Sequence, residues 1–118
     1  MKIEHFALNV PDPNAMSRWY VANLGFTVAR RLVDEPYTHF LADSSGTVML
    51  EVYRQSAPLL EFHDLHSMSI HLALVSDDIE SDIERLTAAG ARLDGGISDF
   101  PNGDRYAMLR DPWGVTLQ

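Results

Sequence analysis

The feature that most constrains this chain is that its first half recurs in its second. His5-Phe6-Ala7-Leu8-Asn9-Val10 is echoed by His71-Leu72-Ala73-Leu74-Val75-Ser76, sixty-six residues later. A repeat of this period means that each copy encodes one supersecondary unit. Both copies lead into a helix signal. In the first, Asp12 is placed to cap and Pro13 takes the opening helical position, where its missing N–H does no harm. Met16, Tyr20 and Leu24 then form one apolar row, and Gly25 marks the stop. In the second, Ser76 or Asp77 is expected to cap, Ile79, Ile83 and Leu86 form the row, and Gly90 marks the stop. The two stops lie sixty-five residues apart, so the copies stay in register to about one residue.

Strand-like sequence follows each helix. The first half predicts strands near 26–33, 37–43 and 47–53, separated by Asp34-Glu35-Pro36 and Asp43-Ser44-Ser45-Gly46. The second predicts strands near 91–98, 105–110 and 114–118. Its punctuation is Asp99-Phe100-Pro101-Asn102-Gly103, with an Asn-Gly turn, and Asp111-Pro112-Trp113-Gly114. The expected fold is therefore α+β: two pseudo-symmetric βαβββ modules, about 1–54 and about 68–118, with a connector of about 55–67. Neither half can bury both faces of its sheet alone. Together they are expected to form one domain with an open, curved eight-stranded sheet or half-barrel and the helices outside. The length of 118 residues suits a single domain.

Strand periodicity sorts the side chains onto faces. Phe6, Leu8 and Val10 share the side expected to meet the first helix, and His5 and Ala7 point away. Ile70, Leu72 and Leu74 do the same in the second half, with His71 and Ala73 opposite. Val48, Leu50 and Val52 alternate with Met49, Glu51 and Tyr53, and Val115 and Leu117 alternate with Thr116 and Gln118. His5, Glu51, His71 and Gln118 thus all fall on faces turned away from the helices. Within each half the spacing is nearly equal, forty-six residues from His5 to Glu51 and forty-seven from His71 to Gln118. Two imidazoles, a carboxylate and an amide oxygen suit a divalent ion such as Zn, Ni, Mn, Fe or Co. Four such ligands leave a coordination position open for water or substrate. Glu51 is the most telling of the four, because burying an unpaired charge is costly.

Other residues are read more cautiously. His39 is a candidate substrate contact, with Met49, Tyr53 and Tyr106, and Phe40 is a candidate wall residue. Trp19, Tyr20 and Trp113 read as packing or interface aromatics, and Arg105 as a strand end. His63 and His66 fall in the connector beside Glu61 and Asp64, where a solvated loop is expected and a lid is the alternative.

Composition removes whole classes of function. The net charge is −8, against binding to nucleic acid or to an anionic membrane surface. There are no cysteines, hence no disulfide framework, thiolate zinc site or cysteine nucleophile. No apolar run approaches the roughly 20 residues of a spanning helix. Met1-Lys2-Ile3-Glu4-His5 lacks the apolar core of a secretory signal. A cytoplasmic location is the expectation that fits.

Ile3-Glu4-His5-Phe6-Ala7-Leu8-Asn9-Val10, Trp19-Tyr20, Leu24-Gly25-Phe26, His71-Leu72-Ala73-Leu74, Ala89-Gly90-Ala91 and Leu109-Arg110-Asp111-Pro112-Trp113-Gly114 together resemble the vicinal oxygen chelate superfamily. That group includes glyoxalase I, bleomycin- and fosfomycin-resistance proteins, extradiol dioxygenases and methylmalonyl-CoA epimerase. The resemblance implies paired βαβββ modules around a divalent metal, usually in a homodimer. It places His5, Glu51, His71 and Gln118 at the metal-ligand positions. It also implies a small-molecule substrate with two neighbouring oxygens and a glyoxalase-like lyase or isomerase reaction. Gln118 departs from the family's usual Glu. Since an amide cannot usefully accept a proton near neutral pH, Glu51 is left as the catalytic carboxylate, and a dioxygenase is disfavoured. Two other classes stay open: a metal-free protein that sequesters an antibiotic or aromatic compound, and a purely structural domain.

Overall fold

The computed structural model describes residues 1–47 and 49–118; Val48, assigned above to the helix-facing side, lies outside them. The chain divides into two compact units, Met1–Leu60 and Glu61–Gln118.

The first unit contains β1 (His5–Asn9), α1 (Pro13–Leu24), β2 (Thr27–Arg31), β3 (His39–Ala42) and β4 (Met49–Tyr53). Helix α1 starts where the Asp12 side chain accepts from the Ala15 N–H at 2.9 Å and ends at Gly25, whose φ of 71° is left-handed. Of its apolar row, Met16 and Tyr20 are fully buried and Leu24 is half-buried. The strands lie in the order β1-β4-β3-β2, with β1 parallel to β4 and the other pairs antiparallel. Leu8 of β1, Val10 just beyond it, Leu41 of β3, and Leu50 and Val52 of β4 alternate as expected and are buried. Each such side chain contributes about 1.5–3 kcal/mol relative to exposure.

The second unit opens with a 3-10 turn at Phe62–Asp64. It continues through α2 (Ile79–Ala88), β5 (Arg92–Leu93), β6 (Ser98–Asp99), β7 (Arg105–Tyr106), β8 (Leu109–Arg110) and β9 (Thr116–Leu117). The cap of α2 is Asp78, not Ser76 or Asp77. The Asp78 side chain accepts from the Ser81 N–H at 3.0 Å, while the Ser76 hydroxyl donates to Asp82 at 2.6 Å. Ile79 and Ile83 are half-buried and Leu86 is buried, so the expected row does face inward.

The eight-stranded sheet needs correction. Open sheets of four, three and two strands are present, ordered β1-β4-β3-β2, β5-β8-β9 and β6-β7. The strand expected over 91–98 divides into β5 and β6, with Gly95 at a φ of 97° between them. Its partner over 105–110 divides into β7 and β8. The strand expected around His71 is reduced to one parallel bridge, Leu72 to Leu117. Three backbone bonds surround it: Leu72 N–H to Thr116 O at 2.9 Å, Gln118 N–H to Leu72 O at 2.8 Å and Leu74 N–H to Gln118 O at 2.8 Å. A turn closed by Ser69 and His66 precedes it, and the α2 cap follows it. Even so, the 70–74 segment lies parallel beside β9 as β1 lies beside β4. The α+β character and the open sheets stand; a single sheet of eight strands is not what the secondary structure forms.

The connector also differs from a solvated loop. Arg110, only 5% exposed, donates to Phe62 O at 2.9 Å, Gly114 O at 3.1 Å and Leu65 O at 2.6 Å, and its Nε lies 3.4 Å from Asp94. The 62–65 backbone is therefore fastened, although the His63 and His66 side chains are exposed. Gly114 has a φ of 87°, and a Cβ there would come within 2.7 Å of the His63 backbone nitrogen. Among the described residues no helix is long and apolar enough to cross a membrane.

Candidate functional site

Strand register in the first unit brings two of the expected residues together. His5 pairs with Met49, and Ala7 pairs with Glu51, which faces Phe40 on its other side. His5, Ala7, Asn9, Met49, Glu51, Tyr53, Phe40 and Ala42 therefore share the face turned away from the buried Leu8, Val10, Leu50 and Val52. His5 and Glu51 stand diagonally on neighbouring strands, with His5 Nε2 3.2 Å from Glu51 Oε2. The other ring nitrogen, Nδ1, donates to Glu4 at 2.6 Å. Phe40 meets the imidazole edge-on at 5.4 Å, and Arg30 lies over Phe40 with its guanidinium carbon 3.9 Å from the ring centroid. Asn9 braces the end of this face. It accepts from the Gln55 N–H at 2.8 Å and donates to Gln55 O at 3.3 Å and Ala57 O at 2.9 Å.

This arrangement suits half of a metal site. Each ring nitrogen of His5 faces a carboxylate, Nδ1 that of Glu4 and Nε2 that of Glu51. Two ligand atoms bonded to one ion at about 2.1 Å sit roughly 3 Å apart, which matches the His5–Glu51 spacing. A carboxylate on the far nitrogen is the usual support for a ligating histidine. Within each unit, among the described residues, no three His, Asp or Glu side chains gather as a complete metal cluster.

In the second unit the Leu72–Leu117 bridge sets His71 level with Thr116 and Ala73 level with Gln118. His71 and Gln118 thus hold the same diagonal relation as His5 and Glu51. His71 and Ala73 are exposed, whereas Leu72 and Leu74 are half-buried. Gln118 is half-buried, and its backbone is held by Leu72 and Leu74. Beside it the Thr116 hydroxyl is buried and has no hydrogen-bond partner among the described residues. Sequence reading did not single out Thr116, although its alternation with Val115 and Leu117 places it on the His71 face.

The remaining candidates separate. Met49 and Tyr53 are half-buried on the Glu51 face. His39 is not brought there: it pairs with Val52, is 5% exposed, and its Nδ1 lies 2.8 Å from Tyr37 O. Tyr106 stacks on Phe100 at 4.5 Å. Arg105 pairs with Glu80 of α2 at 2.6 Å, and this partner holds the Glu80 carboxyl below its usual range. A cleft of about 540 Å³ lined by Glu35, Pro36, Arg54, Gln55 and Ser56 shares no residue with the His5–Glu51 pair. Arg30 was also missed by sequence reading, because its face depends on a strand irregularity that alternation does not reveal.

Each unit combines a helix with open sheet and sets a histidine diagonally to a Glu or Gln. The sequence profile of the Glyoxalase/Bleomycin resistance protein/Dioxygenase superfamily matches residues 2–118, and the chain belongs to that superfamily. No curated protein sequence matches it. Among solved structures it resembles TnmS3, an antibiotic binding protein from Streptomyces sp. CB03234, at 23% identity over 99% of this chain and 92% of that one, with a TM-score of 0.73. A glyoxalase-related enzyme from Fulvimarina pelagi has 22% identity over 99% and 85% of the two chains, with a TM-score of 0.70. TioX from Micromonospora sp. ML1 has 23% identity over 99% and 95%, with a TM-score of 0.67. At these identities the likeness establishes the fold.

Proposed function

We propose that the protein is a metal-dependent, glyoxalase-like lyase or isomerase acting on a small substrate with two neighbouring oxygens. The observation that carries this is the His5–Glu51 pair, 3.2 Å apart with the far nitrogen of His5 occupied by Glu4. In this reading His5, Glu51, His71 and Gln118 hold a divalent ion, and the protein is a cytoplasmic homodimer. When bound, the ion supplies Lewis acidity toward the substrate oxygens. Glu51 holds the proton taken from the adjacent carbon, since Gln118 has no basic oxygen to share that work. Glu4 fixes the His5 ring so that Nε2 keeps its lone pair.

A second reading is supported by the amide at Gln118 and by the antibiotic-binding relative. Here the protein sequesters an aromatic compound without metal, with Met49 and Tyr53 as wall residues on the Glu51 face. Metal analysis after loading with Zn, Ni, Mn or Co separates the two. The enzyme reading expects one ion per chain and thermal stabilisation by the metal. It also expects near-complete loss of the ion in His5→Ala and about a tenfold weaker affinity in Glu4→Gln. No stoichiometric ion in the wild type, with stabilisation by aromatic cations instead, establishes sequestration.

A further inference from the structure

The most telling feature that the proposed chemistry leaves unused is Arg30. Strand β2 runs antiparallel to β3 with Thr27 opposite Ala42 and Val28 opposite Leu41; the register then slips, so that Arg30 lies opposite Phe40 and Arg31 opposite His39. Regular pairing would set Ala29 against Phe40 and Arg30 against His39, on the opposite face. The extra residue at Ala29 therefore transfers Arg30 to the face of Glu51 and His5. Bulges of this kind re-aim a side chain, and they concentrate beside functional sites. Two spacings, 3.9 Å from the guanidinium to the Phe40 ring and 5.4 Å from that ring to His5, hold the Arg30 charge within 10 Å of the imidazole. Among the described residues Arg30 has no ion-pair or hydrogen-bond partner, which is notable in a chain of net charge −8.

We infer that Arg30 is an anion-binding residue of this site and that the substrate carries a carboxylate. A guanidinium presents paired N–H groups whose spacing matches the two oxygens of a carboxylate, and such pairs are short and charge-assisted. Phe40, buried and met edge-on by His5, backs the cation from beneath and holds it at the site. The arrangement divides the work: Arg30 grips the anionic end, and the His5–Glu51 end meets the reacting atoms.

This inference rests on the His5–Glu51 face being the reacting face. Its test uses chelator-treated protein, so that its failure and that of the metal reading are distinguishable. Benzoate, its neutral isostere benzamide and inorganic phosphate are titrated into full-length protein, followed by heteronuclear NMR on the Arg30 side-chain N–H and the Phe40 ring. Benzoate is expected to bind in the millimolar range and to shift both signals. Arg30→Gln is expected to weaken it about tenfold or more, with Arg30→Lys recovering part of the loss. Arg30 lies on an exposed edge strand, and an unchanged amide spectrum of each variant shows that the fold is kept. Benzamide binding as tightly as benzoate, phosphate binding more tightly, no benzoate binding, or unchanged affinity in Arg30→Gln would each overturn it.

Discussion

The two units run their strands in comparable order but are held together by different means. In the first, strands of four or five residues stack apolar side chains, Leu8, Leu41, Leu50 and Val52 among them, under one helix whose Met16 and Tyr20 are fully buried. In the second, every strand is two residues long, and buried charge does much of the joining. Arg110 fastens the 62–65 backbone, and Asp111 accepts from the Trp113 and Val115 N–H groups at 2.9 and 2.8 Å. Short ladders supply few backbone hydrogen bonds, so side chains must satisfy carbonyl and amide groups that a longer strand would pair internally. A strand order can thus be kept while the forces that hold it change.

Breaking the buried charge should have the largest effect. Arg110→Met leaves three carbonyls without their donor and is expected to destabilise the protein by about 3 kcal/mol or more. Hydrogen exchange followed by mass spectrometry should show residues 61–118 losing protection well before 1–60. Equal loss in both, or none, would contradict the contrast drawn above. A smaller and more even effect is expected at the helix starts. Asp12→Ala and Asp78→Ala each remove one cap and should each lower stability by about 1 kcal/mol in urea titrations. A marked inequality between them would show that one helix depends far more on its cap than the other.

The smallest effect sharpens the second unit alone. The Ser76 hydroxyl, and after it Arg85, hold the Asp82 carboxyl below its usual range. A carboxyl depressed by folding adds stability at pH values above its unfolded value, and that stability disappears as pH falls through the folded value. The loss should therefore fall below about pH 4. Because Asp82 is largely solvated, it should amount to no more than a few tenths of a kcal/mol. In an NMR titration, Ser76→Ala should move the Asp82 midpoint upward; no movement would remove Ser76 as the cause.

Much of the first unit was legible in the sequence because its signals are local and agree. The Asp12-Pro13 start, the Met16–Tyr20 row, the Gly25 stop and the alternation through Glu51 all point one way. The diagonal pairing of His5 with Glu51 was also legible, since strand period fixes the face and the repeat fixes the spacing. What escaped depends on partners distant in sequence. Nothing local to Ala29 announces a bulge, so the face of Arg30 could not be read. Alternation gives no rule for a strand such as β8, where Leu109 and Arg110 are both buried. Ser76, Asp77 and Asp78 are all capable caps, but Asp78 takes the role while the Ser76 hydroxyl turns to Asp82. The glycines at 95 and 96 were visible, but not that they would divide a strand in two.

Each unit's parallel seam joins segments remote along the chain: His5 meets Met49, and Leu72 meets Leu117. Neither seam can close until its last strand has been synthesised. During translation the leading strand of each unit must therefore wait, its hydrogen-bonding edge unmatched, while more than forty residues leave the ribosome. Closing such long loops slows folding. The fast helix in between, α1 or α2, is then the first local structure that can shield that waiting edge from neighbouring chains.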